Sequence, residues 1–154
     1  MSDAGLVQLL VFRVGNLVCA VEAGRVREIL PRLATTRIPG APLVVAGVVN
    51  VRGTLVTVVE GWRALRQPEP AALPAGNGDQ GATTVLLEVG DGRKVLGFTV
   101  DEVVDLLSLS AADLEHRQAL PGLDPTLVRA VGRRAGQLFV VLDTDALLTP
   151  ILSS

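Results

Sequence analysis

The 154-residue chain is 49% apolar and 19% charged, which excludes a disordered tail and suits one domain, or two small ones over a shared core. Its 14 basic and 16 acidic residues, with no Tyr, one Trp and three Phe, supply neither the charge nor the stacking rings that nucleic acid requires. No apolar stretch approaches the roughly 18 residues that cross a bilayer, and the opening MSDAGLVQLL lacks a signal peptide's basic region and cleavage site.

In chain order, LLVFRVGNLVCAV places Gly15-Asn16 between two strand-forming runs, a pair expected at a tight turn. The second run holds Cys19, the only cysteine, which cannot close an internal disulfide; with the missing signal sequence this favours the cytoplasm. VEAGRVREIL follows at 21–30, then the proline-punctuated RIPGAPLVV, then GVVNVRGTLVTVV, which turns near Arg52-Gly53. VVEGWRAL at 58–65 reads as a short helix led by Glu60. Residues 66–82, RQPEPAALPAGNGDQGA, read as a loop. TTVLLEVGDGRKVLGFTV then turns at Asp91-Gly92 and leads into VDEVVDLLSL at 100–109. LVRAVGRRAGQLFVVL turns around Arg133 to Gly136, and VLDTDALL at 141–148 is a second short helix, led by Asp143.

The order of parts repeats: a hairpin, an extended segment, a second hairpin and an acid-led helix, twice. Short strands at regular spacing predict small closed barrels, because closure removes exposed edges. The apolar surplus predicts that two such barrels bury a face against each other.

Reactive groups are scarce. His116 is the only histidine, with no base–nucleophile pair beside it, and one His with one Cys cannot make a Cys/His zinc site. Cys19 lies in an apolar strand, where burial makes a thiol inert. GDGRK at 90–94 fits a hairpin turn and is no phosphate-binding loop; Asp101, Glu102 and Asp105 read as a solvated acidic edge or, alternatively, a divalent-cation site. No cofactor is expected.

Taken together, LLVFRVGNLVCAVEAGRVREIL, TTRIPGAPLVVAGVVNVRGTLVTVV and KVLGFTVDEVVDLLSLS resemble the CheW family of bacterial chemotaxis coupling proteins, in family order from about Leu9 to Leu148. GVVNVRG is close to the family's G-V-x-N-x-R-G signature and is the most specific piece. The resemblance implies an all-β fold of two SH3-like five-stranded barrels around a shared apolar core, with short helices. It implies a single domain over 6–150, with the first barrel at about 15–82 and the second at about 83–150, completed by the N-terminal strand 6–14. It further implies a non-catalytic adaptor that joins the cytoplasmic tips of methyl-accepting chemoreceptors to the regulatory domain of a CheA-type histidine kinase, and that pairs with other CheW-like domains. Neither nucleic acid nor insertion into a membrane is expected. Nothing is left at either end for a kinase or receiver domain, so a stand-alone coupler is expected.

Carried to matching positions, the resemblance assigns receptor binding to Val26, Glu28, Gly47, Asn50, Arg52, Val103 and Leu106, with Asn50 also shaping its turn. It assigns kinase binding to Leu43 and Val44, and a structural turn role to Gly53 and Gly97. Core packing is the competing reading for Val26, Val103, Leu106, Leu43 and Val44, as is backbone geometry for the glycines. The chain departs from the family where the usual P-V-x-D-L reads TVVEGW: Thr57, Glu60 and Gly61 replace Pro, Asp and Leu, and Trp62 stands at a usually polar or basic place. Gly61 is expected to loosen the first helical turn, by up to ~1 kcal/mol relative to Ala in a helix interior. Two rival readings stand beside the leading one. The first is an adaptor of a gliding-motility or surface-sensing pathway with altered kinase coupling. The second is a small-molecule-binding β-barrel or an unrecognised enzyme.

Overall fold

Valine, leucine and phenylalanine alternate between two buried faces along the first strand, β1 (Leu6–Val14), and that double burial organises the molecule. Leu10, Phe12 and Val14 enter one apolar cluster, Leu9 and Val11 another. The computed structural model describes residues 5–69, 83–91, 94–116, 120 and 122–152. Of the loop expected at 66–82, residues 70–82 lie outside these, as does Gly92 of the Asp91-Gly92 turn.

After β1 come β2 (Leu17–Glu22), β3 (Val26–Pro31), β4 (Val45–Val51), β5 (Thr54–Val59) and the single-turn helix α1 (Gly61–Ala64). Then follow β6 (Thr83–Val89), β7 (Lys94–Val100), β8 (Glu102–Ser110), β9 (Glu115–His116), β10 (Val128–Arg134), β11 (Gln137–Leu142) and α2 (Thr144–Leu152). They form two sheets, in the orders β3-β6-β7-β5-β4 and β8-β1-β2-β11-β10-β9. The class is all-β with short helices, and each sheet forms a small barrel of the SH3-like kind; the second carries a sixth strand, the two-residue β9.

The sheets divide the chain differently from the expected boundary at 82/83. β2 pairs with β1 and β11, and β6 and β7 pair with β3 and β5. One sheet therefore runs from residue 26 to 100, and the other takes 6–22 and 102–142. The repeat of parts is present, but the two halves exchange their first hairpins. β1–β2 fills the sheet of the second half and β6–β7 fills that of the first. The pairings correspond: β3 to β6 as β8 to β1, both antiparallel, and β5 to β7 as β11 to β2, both parallel. A hairpin closed by a short turn moves as a unit, so the chain on both sides of residues 70–82 belongs to one sheet, and the border between barrels does not fall there.

The buried apolar residues fall into two clusters and a remainder in the first barrel. Leu9, Val11, Ala20, Leu114, Ala130, Phe139 and Val141 fill the second barrel. Val56, Val58 and Leu86, all buried, lie in the first, where Gly97 gives them room: a Cβ on it would meet Thr84 Cγ2 at 3.1 Å and Val58 Cγ2 at 3.2 Å. Gly97 is thus a mid-strand residue of β7 and takes no part in a turn, contrary to expectation; small size at a crowded interior position is what the site requires. The larger cluster draws on both sheets and both helices and includes Phe12 and Phe98, whose rings lie 6.1 Å apart. Burying each of these rings contributes roughly 2–3 kcal/mol.

Polar ties cross the same boundary. Arg25, just before β3, forms a two-pronged ion pair with Asp145 of α2 (3.2 and 3.0 Å), whose Oδ1 also accepts from the Gly90 N–H at 2.8 Å. The Asn16 N–H donates to Gln67 Oε1 at 3.1 Å. Because each half lacks a hairpin without the other, we expect one calorimetric unfolding transition for the whole chain. Two resolved transitions, or a folded fragment 1–69, would contradict the exchanged topology.

The helix α1 explains Gly61. Its N–H donates to Thr99 Oγ1 at 3.0 Å, and a Cβ there would sit 2.1 Å from the Thr99 carbonyl oxygen. The glycine lets the turn press onto β7, and Leu65 is buried beneath it. Glu60 stands at the helix start, but its carboxylate pairs with Arg63 (2.9 Å) and caps no N–H. Asp143 does cap α2, accepting from the Ala146 N–H at 3.0 Å. Gly61→Ala is expected to destabilise the chain by about 1–3 kcal/mol, the cost of overpacking, although alanine is the better helix former. An unchanged denaturation midpoint would refute the close approach.

Candidate partner-binding surfaces

The first surface is built on the β4–β5 hairpin. Arg52 (φ 50°) and Gly53 (φ 87°) occupy its centre, both in the left-handed region that a tight hairpin demands. Asn50 Oδ1 accepts from the Gly53 N–H at 2.7 Å, which fixes the loop from below. Arginine at such a φ is costlier than glycine or asparagine, so the turn does not account for it. Its guanidinium reaches Glu28 on β3 through two charge-assisted bonds, Nη1 to Oε1 at 2.7 Å and Nη2 to Oε2. β3 and β4 are the two edges of the first sheet, so the pair bridges the gap between them. The hydrogen bonds from Arg52 hold the Glu28 carboxyl below its ordinary pKa, and Glu28 raises that of Arg52. The Arg52 side chain is still 69% exposed.

Val103 and Leu106 lie on β8, the edge of the second sheet. Residues three apart on a regular strand face opposite ways. Here a register shift leaves Val104 without a partner, so Val103 sits opposite Phe12 and Leu106 opposite Leu10, both on the face of the shared cluster. Val103 packs half-buried against that cluster, as does Val26 of β3, whereas Leu106 is 61% exposed. Asp105 anchors the bulge: it accepts from Arg134 Nε at 2.9 Å and from the Leu106 N–H at 2.8 Å, and these bonds hold its carboxyl below the usual range. Gly47 is buried, with Thr36 O 2.4 Å from where a Cβ would lie, and its φ of 153° is one that side chains rarely adopt. Its part is to let the 35–36 segment lie against β4, where Thr36 pairs with Val48 in an antiparallel bridge.

The second surface lies at the other end of β4. Ile38 to Val45 form two successive turns, with Ala41 N–H to Ile38 O (3.2 Å) and Val45 N–H to Pro42 O (3.0 Å). They leave Leu43 69% exposed while Val44 packs half-buried on the shared cluster, its carbonyl accepting from the Glu60 N–H at 2.8 Å. The expected pair therefore divides into an outward and an inward residue. Leu43 and Val44 line an open cleft of about 390 Å³ with Trp62, Arg63, Arg66 and Gln67. The Arg63 guanidinium lies over the Trp62 ring, 4.3 Å from its centroid.

The acidic residues around β8 are occupied by arginines, Asp101 and Glu102 by Arg13 (both 3.1 Å) and Asp105 by Arg134. Among the described residues no three His, Cys, Asp or Glu gather as a metal site. Burial, helped by Asp101, pushes the Cys19 thiol far above its ordinary pKa. No helix is long and apolar enough to cross a membrane, among the described residues.

A family model for the CheW-like domain matches residues 8–151, nearly the whole length. The chain belongs to the CheW-like domain family. It is similar to a chemotaxis protein CheW of Klebsiella aerogenes, 27% identical over 92% of this chain and 81% of that protein. It is also similar to a probable chemotaxis protein CheW of Rhizobium etli, 30% identical over 82% of this chain and 74% of the relative. Its fold matches the solved structure of the scaffolding protein TtCheW from Thermoanaerobacter tengcongensis with a TM-score of 0.80 at 16% identity, covering 92% of each chain.

For this CheW-like chain, sequence reasoning missed three exposed apolar residues: Leu55, 71% exposed beside the hairpin tip, Ile29 (46%) on β3 and Val104 (37%) at the bulge. For Leu55 a signal was available, since it pairs with the exposed Asn50 and so falls on the hairpin's outward side.

Proposed function

We propose that the chain is a non-catalytic cytoplasmic coupler of a chemosensory array. It binds receptor tips through the Glu28–Arg52 hairpin and the Val103–Leu106 edge, and a CheA-type kinase regulatory domain through Leu43. The supporting observation is that these surfaces sit at opposite ends of β4, whose seven residues separate Leu43 from Arg52 by roughly 25 Å at about 3.3 Å per residue. Contacts at opposite ends of one strand need not overlap, which is the geometry a bridge needs. The relatives' chemotaxis names agree with this reading. Co-sedimentation with receptor signalling domains tests it: the chain should pellet with receptor whether or not kinase is added, and kinase should not displace it. Displacement would mean that the two surfaces are one.

A further inference from the structure

The cleft beside Leu43 is chemically asymmetric. Of its lining residues, Leu43 is exposed and apolar, Trp62 packs half-buried on the shared cluster with the rest of its ring on the cleft, Arg63 and Arg66 are cationic, and none is acidic. Glu60 is taken by Arg63, whose guanidinium in turn lies over the indole. That arrangement immobilises ring and guanidinium together, so little order is lost when a partner settles on them. Arg66 is exposed at a left-handed φ of 55°, just past the end of α1; it makes no direct ion pair among the described residues, and its charge acts on Asp124 without a contact. Tryptophan and arginine are among the residue types that dominate interface energetics.

We propose that this cleft is the specificity-determining part of the kinase-facing surface. An apolar side chain of the kinase regulatory domain enters between Leu43 and Trp62, and a carboxylate of that domain pairs with Arg66. The inference rests on the reading of Leu43 as the kinase contact and adds the chemistry of the segment recognised. A partner carrying a basic residue at that place meets Arg66 as a like charge and is rejected, so selection works by repulsion as well as fit.

Calorimetric titration of the full chain tests this with two probes, the CheA-type regulatory domain and a receptor signalling fragment, at low and high salt. Arg66→Glu should weaken kinase binding about tenfold at low salt and less at high salt, because an exposed charge contact is screened. Trp62→Ala should weaken it more than tenfold, and Trp62→Phe should retain most of the affinity. Receptor affinity should stay unchanged throughout. Wild-type kinase affinity in Arg66→Glu and Trp62→Ala, with loss in Leu43→Asp, overturns the cleft while leaving the kinase surface standing. Wild-type affinity in Leu43→Asp as well overturns both. Should Trp62→Ala fail to fold, the salt-dependent loss in Arg66→Glu decides alone.

Discussion

Leu43→Asp is expected to abolish binding of the kinase regulatory domain, by about a hundredfold or more, while receptor affinity and Tm stay at wild-type values. The size follows from placing a charge at the centre of an apolar contact, where single residues dominate the interface. The selectivity follows from exposure: Leu43 is 69% open to solvent, so the fold loses no packing. Val44→Asp is the contrasting variant. Its side chain packs on the cluster shared by both sheets, so it should lower Tm and weaken both partners together. A fall in Tm for Leu43→Asp would show that it, too, is core. Retained kinase binding would place the contact elsewhere.

Arg52→Glu should weaken receptor binding by roughly thirtyfold, the scale on which reversing a good interfacial charge contact acts. The fold should survive. The Glu28 pair is largely solvent-facing, where ion pairs contribute little, and Asn50 still holds the hairpin. The double variant Glu28→Arg with Arg52→Glu separates two roles. It restores the bridge between β3 and β4 but leaves an anion at the hairpin tip, so receptor binding should stay weak. Full recovery in the double variant would mean that the bridge itself, and no direct contact, is what the receptor requires. Unchanged affinity in Arg52→Glu would remove the hairpin from the site.

Local chemistry made the strands and turns legible. Gly15-Asn16 and Arg52-Gly53 punctuate β-branched runs, and Asp143 marks the start of a helix, all from residues within four of one another. Beyond the N-terminal strand, which the resemblance assigns to the second barrel, the exchange of hairpins was not legible, because a strand shows the same alternation whichever partner it pairs with. Long-range pairing leaves no trace in neighbouring residues. The same limit hid the bulge at Val104, which turns Val103 and Leu106 to one face, and the approach of Gly61 to Thr99 O. Gly61 read as a loosened helix start, whereas contact with a strand 38 positions away requires it. At the candidate surfaces, motif resemblance picked out Glu28 and Arg52 separately. Their contact depends on two edge strands curling toward each other, which no spacing encodes.

The central claim is that one chain holds receptor and kinase at once, from opposite ends of β4. The direct measurement is the amount of CheA-type kinase sedimenting with receptor signalling domains as this chain is titrated in. Kinase in the pellet should rise with wild-type chain, and should fail to rise with Leu43→Asp although that variant itself still pellets. Kinase recruitment independent of this chain, or equal recruitment by wild type and Leu43→Asp, would contradict the account.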